Sequence, residues 1–77
     1  MRLLTSDGCF LDGDPETVLR ALARRDLPLL DDCRRVAFFR RVAGPLVARR
    51  AACDLIAGLE EDGRLVVDRP ADSYRRN

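Results

Sequence analysis

The reactive chemistry of this chain is dominated by guanidinium groups. All fourteen of its basic residues are arginine, and histidine, lysine and tryptophan are absent. A guanidinium grips carboxylates and phosphates through paired, planar hydrogen bonds, but it stays protonated and cannot shuttle protons. The hydroxyls of Thr5, Ser6, Thr17 and Ser73 therefore have no histidine or lysine to activate them, and general acid-base or nucleophilic catalysis lacks its raw material. No glycine-rich phosphate loop is present. The composition points to a non-enzymatic binding protein.

Metal chemistry is equally poorly served. Cys9, Cys33 and Cys53 are dispersed, with no Cys-x-x-Cys spacing and no histidine to complete a zinc site. An odd, scattered set of this kind reads as reduced thiols packed as small apolar groups, and predicts a cytoplasmic protein. Asp12, Asp14 and Glu16 alternate in a way that resembles a calcium loop, but Pro15 starts a helix immediately and leaves no room for the loop. Capping explains these acids better, and neither a metal nor any other cofactor is expected.

The net charge is only +1, yet its distribution is uneven. Residues 1–19 carry a net −3, residues 20–50 a net +6 and residues 51–77 a net −2. From Arg34 to Arg50 there are six arginines and no acid. A near-neutral chain with such a middle can present a basic patch that its isoelectric point conceals. The candidate binding residues are Arg34, Arg35, Phe38, Arg41, Arg49 and Arg50. An aromatic among arginines can stack on a base or anchor a protein interface, so the expected partner is either a nucleic acid or an acidic protein surface. The bland alternative is that the acidic ends fold back and neutralise the arginines while Phe38 is buried.

The elements that must position these groups follow from pattern. With 77 residues the chain makes one small domain, burying only ~60–65% of its unfolded surface. No apolar run approaches the ~18 residues of a membrane span, and the N-terminus has no signal-peptide pattern. Asp7-Gly8 suggests a two-residue hairpin turn, with Ser6 opposite Cys9, Leu4 across from Leu11 and Thr5 across from Phe10. Asp14-Pro15-Glu16 is a helix start, with a capping aspartate, proline in the first turn and an acid near the positive end of the dipole. The first helix should span 15–25 and bury Val18, Leu19, Leu22 and Ala23. The second starts at 28 or 32 and ends at Gly44, with Leu29, Cys33, Val36, Phe39 and Ala43 inward and Phe38 among the arginines. Pro45 opens the third, spanning 45–62, with Ala48, Ala52, Leu55, Ile56 and Leu59 as its core stripe. Along it, Arg50 and Asp54 have ion-pair spacing, and Arg64 is placed to offset Glu60, Glu61 and Asp62. A third strand, 64–68, should pair with the hairpin. Residues 1–68 thus form the domain, and 69–77 are expected to be a mobile tail.

The fold class predicted is α+β, three helices packed on a small antiparallel sheet in the order ββαααβ. Leu46, Val47, Cys53 and Ala57 leave the third helix apolar around most of its circumference, which points to a homodimer. Across residues 28–68, two helices joined by a glycine turn and followed by a strand resemble a winged-helix or helix-turn-helix module. Arg40 stands where that family usually keeps a small residue. The resemblance implies DNA binding and transcriptional regulation in a bacterium or phage, with Arg49 and Arg50 on DNA and Arg34, Arg35 and Arg41 on phosphates. The alternative is a phage-type inhibitor or adaptor, anti-CRISPR-like in its manner of action, that docks on a host protein complex through the arginine and phenylalanine surface.

Overall fold

The computed structural model describes residues 1–68, so the tail expected at 69–77 lies outside the described residues. The elements run β1 (Arg2–Thr5), β2 (Phe10–Asp12), α1 (Pro15–Ala23), α2 (Leu29–Ala43), α3 (Pro45–Glu61) and β3 (Leu65–Asp68). The class is α+β, with three helices against a three-stranded antiparallel sheet of order β2-β1-β3.

The hairpin register differs from the sequence expectation by one residue. Leu3 faces Leu11, Leu4 faces Phe10, and the Thr5 amide donates to the Cys9 carbonyl at 2.8 Å. The loop is therefore Ser6-Asp7-Gly8, closed by the Gly8 amide donating to the Thr5 carbonyl at 3.0 Å, with Gly8 at φ 90°. A three-residue loop needs only one left-handed residue, supplied by Gly8, whereas a two-residue turn would have required positive φ at Asp7 as well. Side-chain chemistry selects this loop. The buried Thr5 hydroxyl donates to the Asp7 carboxylate and accepts from the Cys9 amide at 3.1 Å.

The register sorts the side chains by face. Leu3 (0% exposed), Thr5 and Leu65 turn toward the helices, with Leu11 and Val67 half-buried beside them. Arg2, Phe10, Asp12, Val66 and Asp68 are exposed, and Leu4 is half-buried between Phe10 and Val66, with which it pairs.

Local signals set the helix ends. Asp14 caps α1, its carboxylate accepting from the Thr17 amide at 2.8 Å, with Pro15 in the first turn. In α2, Asp31 and Asp32 lie in the first turn and Arg40 and Arg41 in the last, as the dipole favours. Gly44, at φ 99°, ends α2 and caps α3, a backbone state that residues with a Cβ rarely adopt. At the far end of α3, the Gly63 amide donates to the Glu60 carbonyl and the Arg64 amide to the Leu59 carbonyl, both at 3.0 Å. That pair of bonds is a Schellman closure that turns the chain into β3.

The core joins Leu3 and Leu65 to Val18, Leu19, Leu22 and Ala23 of α1, Leu29 and Val36 of α2, and Ala48, Ala52, Ile56 and Leu59 of α3. Leu55 is half-buried, as are Cys33 and Phe39, but Ala43 is exposed. Ala43 sits beside the Gly44 corner, where α2 leaves the core, so the inward stripe ends a turn earlier than its periodicity suggests. No helix among the described residues is long and apolar enough to cross a membrane.

Candidate binding surface

Sequence reasoning singled out six residues, which differ in their charge partners. Phe38 and Arg41 lie on the last turns of α2 and Arg49 and Arg50 on the first turns of α3, on either side of Gly44. Phe38 and Arg41 are three residues apart on α2 and thus share a face, while Arg49 and Arg50 stand one turn into α3, beyond Gly44. All four are exposed, Phe38 by 53%. Its ring leans against Phe39, centroids 6.3 Å apart and planes at 55°. Arg41, Arg49 and Arg50 have no carboxylate partner among the described residues. The Arg50–Asp54 pair anticipated from spacing does not form.

Arg34 and Arg35 lie one turn before Phe38 on the same helix, about 10 Å from Arg41 at ~1.5 Å per residue. They pair with Asp31 at 3.3 Å and Asp32 at 3.4 Å. Such exposed pairs hold loosely, but the two carboxylates offset the two guanidinium charges and would repel a phosphate backbone running along this stretch.

The corner also carries apolar residues that the arginine pattern drew attention away from. Val42 (61%), Leu46 (81%) and Val47 are exposed. Val42 is one turn beyond Phe38 on α2, and Leu46 and Val47 follow the Gly44-Pro45 corner at the start of α3. A signal for this was legible, since Leu46 and Val47 precede the stripe of Ala48, Ala52 and Ile56 without belonging to it. Leu46 and Arg49 line a recess of about 200 Å³ with Asp14, Pro15, Glu16 and Arg40.

Elsewhere three arginines are engaged by carboxylates from other segments, while Arg24 has no side-chain partner among the described residues. Arg40 donates to Glu16, whose side chain is only 14% exposed, which ties α2 to α1. Arg64 pairs with Asp26, just beyond the end of α1. Arg25 donates to both oxygens of Asp7, at 2.8 and 2.6 Å, and to the Cys9 sulfur at 2.8 Å. The Thr5 hydroxyl, then the Arg25 charge, hold the Asp7 carboxyl below its ordinary range, and the Cys9 sulfur and Asp7 hold the Arg25 pKa up. These two pairs flank a recess of about 440 Å³, floored by Leu22, Leu29, Leu59 and Leu65. Its positive charges are already matched.

All three cysteines are unbonded and half-buried. Burial, then Asp32, raises the Cys33 thiol above its usual pKa. No cluster of three metal-ligating side chains occurs among the described residues. Neither a protein-family model, a curated protein nor a solved structure matches this chain, so the functional reading rests on its own residues.

Proposed function

We propose that this chain is a non-enzymatic binding module whose α2–α3 corner docks on a protein partner with an apolar groove and an acidic rim. The observation that carries this reading is the presence, on both sides of one corner, of exposed Phe38, Val42, Leu46 and Val47 in sequence alternation with Arg41, Arg49 and Arg50, arginines with no carboxylate partner among the described residues. Aromatic and arginine side chains are the residue types that dominate protein hot spots, and clustered exposed apolar groups mark sites of association. An inhibitor or adaptor that caps a larger assembly is the class of protein this surface suits.

DNA binding is the second reading, supported by three unpaired arginines around the start of α3. In a helix-turn-helix docking, the first turns of the second helix read base edges. Here those turns offer Leu46 and Val47, which can touch only thymine methyls, ahead of Arg49 and Arg50, the donors available to a base. The acids beside Arg34 and Arg35 also oppose phosphate. Both points favour the protein partner.

Affinity purification from the source cell, with wild type, Phe38→Ala, Leu46→Ala and Arg49→Ala as bait, is run beside a titration with duplex DNA at about 50 and 200 mM salt. The expected result is one retained protein, lost with Phe38→Ala or Leu46→Ala at a cost of ~2 kcal/mol or more and weakened less by the arginine change. Tight duplex binding that falls steeply with salt and ignores Phe38→Ala would replace this reading with the second.

A further inference from the structure

The unpaired edge of the sheet lies far from this corner in the sequence and supports an inference that goes beyond the docking reading. β1 is central, so β3 is paired on one side only, and among the described residues nothing pairs with its outer edge. Natural edges are blunted by brevity, by charge, proline or a bulge, or by a covering segment. β3 is short, at four residues, but its Leu65-Val66-Val67 centre carries no charge and no proline. Val and Ile are also among the best strand formers.

We propose that β3 pairs antiparallel with β3 of a second copy about a twofold axis, joining two sheets into one of six strands. The register can be derived. Residues directly opposite in an antiparallel pair share a face, so a symmetric pairing must set a residue opposite its own copy. Centring on Val66 puts Val66 against Val66, Leu65 against Val67 and Arg64 against Asp68. Every pair then matches: exposed valine with exposed valine, core-facing Leu65 with half-buried Val67, and opposite charges at both ends, where the Arg64 and Asp68 side chains are 51% and 56% exposed. Centring on Val67 instead sets Val66 against the charge of Asp68. The other edge, β2, is three residues long, and centring it on Leu11 sets Phe10 against Asp12. Complementarity in charge and hydropathy thus selects one edge, one register and a second copy as the occupant. Because Leu4 pairs with both Phe10 and Val66, the outer row Phe10-Leu4-Val66 of one chain continues into that of the other. Arg64 and Asp68 keep Asp26 and Arg2 as intramolecular partners, so the new ion pairs are shared contacts. Two four-residue strands bury less than the ~1,200 Å² of a standard interface, which makes the association concentration-dependent.

A cysteine on a twofold axis cross-links to itself, because opposite Cα atoms in a sheet stand ~4.5–5.5 Å apart, within disulfide reach. Val66→Cys, oxidised mildly, is expected to yield covalent dimer far faster than wild type or Leu27→Cys, an exposed loop control. In sedimentation runs over rising concentration, Arg64→Asp and Asp68→Arg should each weaken self-association roughly ten-fold, and the double reversal should restore it. Circular dichroism of each variant keeps a folding failure apart from a lost interface. Cross-linking no faster at 66 than at 27, a wild type monomeric at every concentration, or a double reversal no better than its parents would overturn the proposal.

Discussion

Two groups of arginines, drawn from the same near-neutral chain, meet opposite fates. On the hairpin and α1 side, Arg25, Arg40 and Arg64 are each met by a carboxylate from another segment, Asp7, Glu16 and Asp26. At the α2–α3 corner, Arg41, Arg49 and Arg50 meet none and stand among exposed apolar side chains. Adjacent residues can fall on either side of this divide, as Arg40 and Arg41 do, because a step of ~100° around a helix turns one toward α1 and the other away. Net charge is therefore a poor guide to where a small domain can bind. The fold decides which charges it consumes, and what remains unmatched is the part available to a partner.

The strongest way to sharpen the contrast uses leucines. Leu3 is 0% exposed between sheet and helices, and Leu46 is 81% exposed at the corner. Leu3→Ala should cost ~2–5 kcal/mol in urea denaturation, a large share of the ~4–12 kcal/mol available to a domain of this size. Leu46→Ala should fall within about 0.5 kcal/mol of wild type. Comparable losses at both positions would mean that the corner is part of the core and not a surface held open for a partner.

A smaller effect separates the neighbouring arginines. Arg40→Ala strips the charge partner from a Glu16 side chain that is only 14% exposed and should cost about 1 kcal/mol, kept modest by solvent around the half-exposed arginine. Arg41→Ala should be neutral for stability. A double-mutant cycle of Arg40→Ala with Glu16→Gln is the direct measurement, and a coupling energy near zero would erase the distinction between consumed and available arginines.

Much of the architecture was legible in the residues. Asp14-Pro15, Gly44-Pro45 and Gly63 are punctuation whose physics is local, so the order of elements and the pairing of the last strand with the hairpin followed from them. Phe38 among the arginines followed equally from helical period. The hairpin register did not, because Asp7-Gly8 fits both a two-residue and a three-residue loop, and the choice turned on a hydrogen bond from Thr5 to Asp7. Nor did the fate of each arginine. Arg64 had three acids close by in sequence, and nothing local pointed to its pair with Asp26, brought near by the packing of α1 against α3. Long-range ion pairs depend on tertiary placement that no local pattern encodes.

The pH response offers the finest test of the consumed side. Asp7, bonded by the Thr5 hydroxyl and then paired with Arg25, and Asp14, bonded by Thr17, both have carboxyl pKa values below their ordinary range. A depressed folded-state pKa means that the unfolded chain binds protons first as pH falls. The stability from these groups is then complete above the unfolded carboxylate pKa of ~3.9 and is lost progressively below it. Cys33 has the opposite sign: its raised thiol pKa contributes stability below ~8.5 that fades as pH climbs through the folded-state value. The melting temperature should therefore be level from about pH 5 to 8 and drop on both flanks. Asp7→Asn should shallow the acid flank, while substitution at Arg41 leaves it unchanged, since that guanidinium has no carboxylate partner among the described residues whose titration it could shift. An acid flank that changed equally in the Arg41 and Asp7 variants would place the corner inside the same electrostatic network as the hairpin and dissolve the boundary between the two regions.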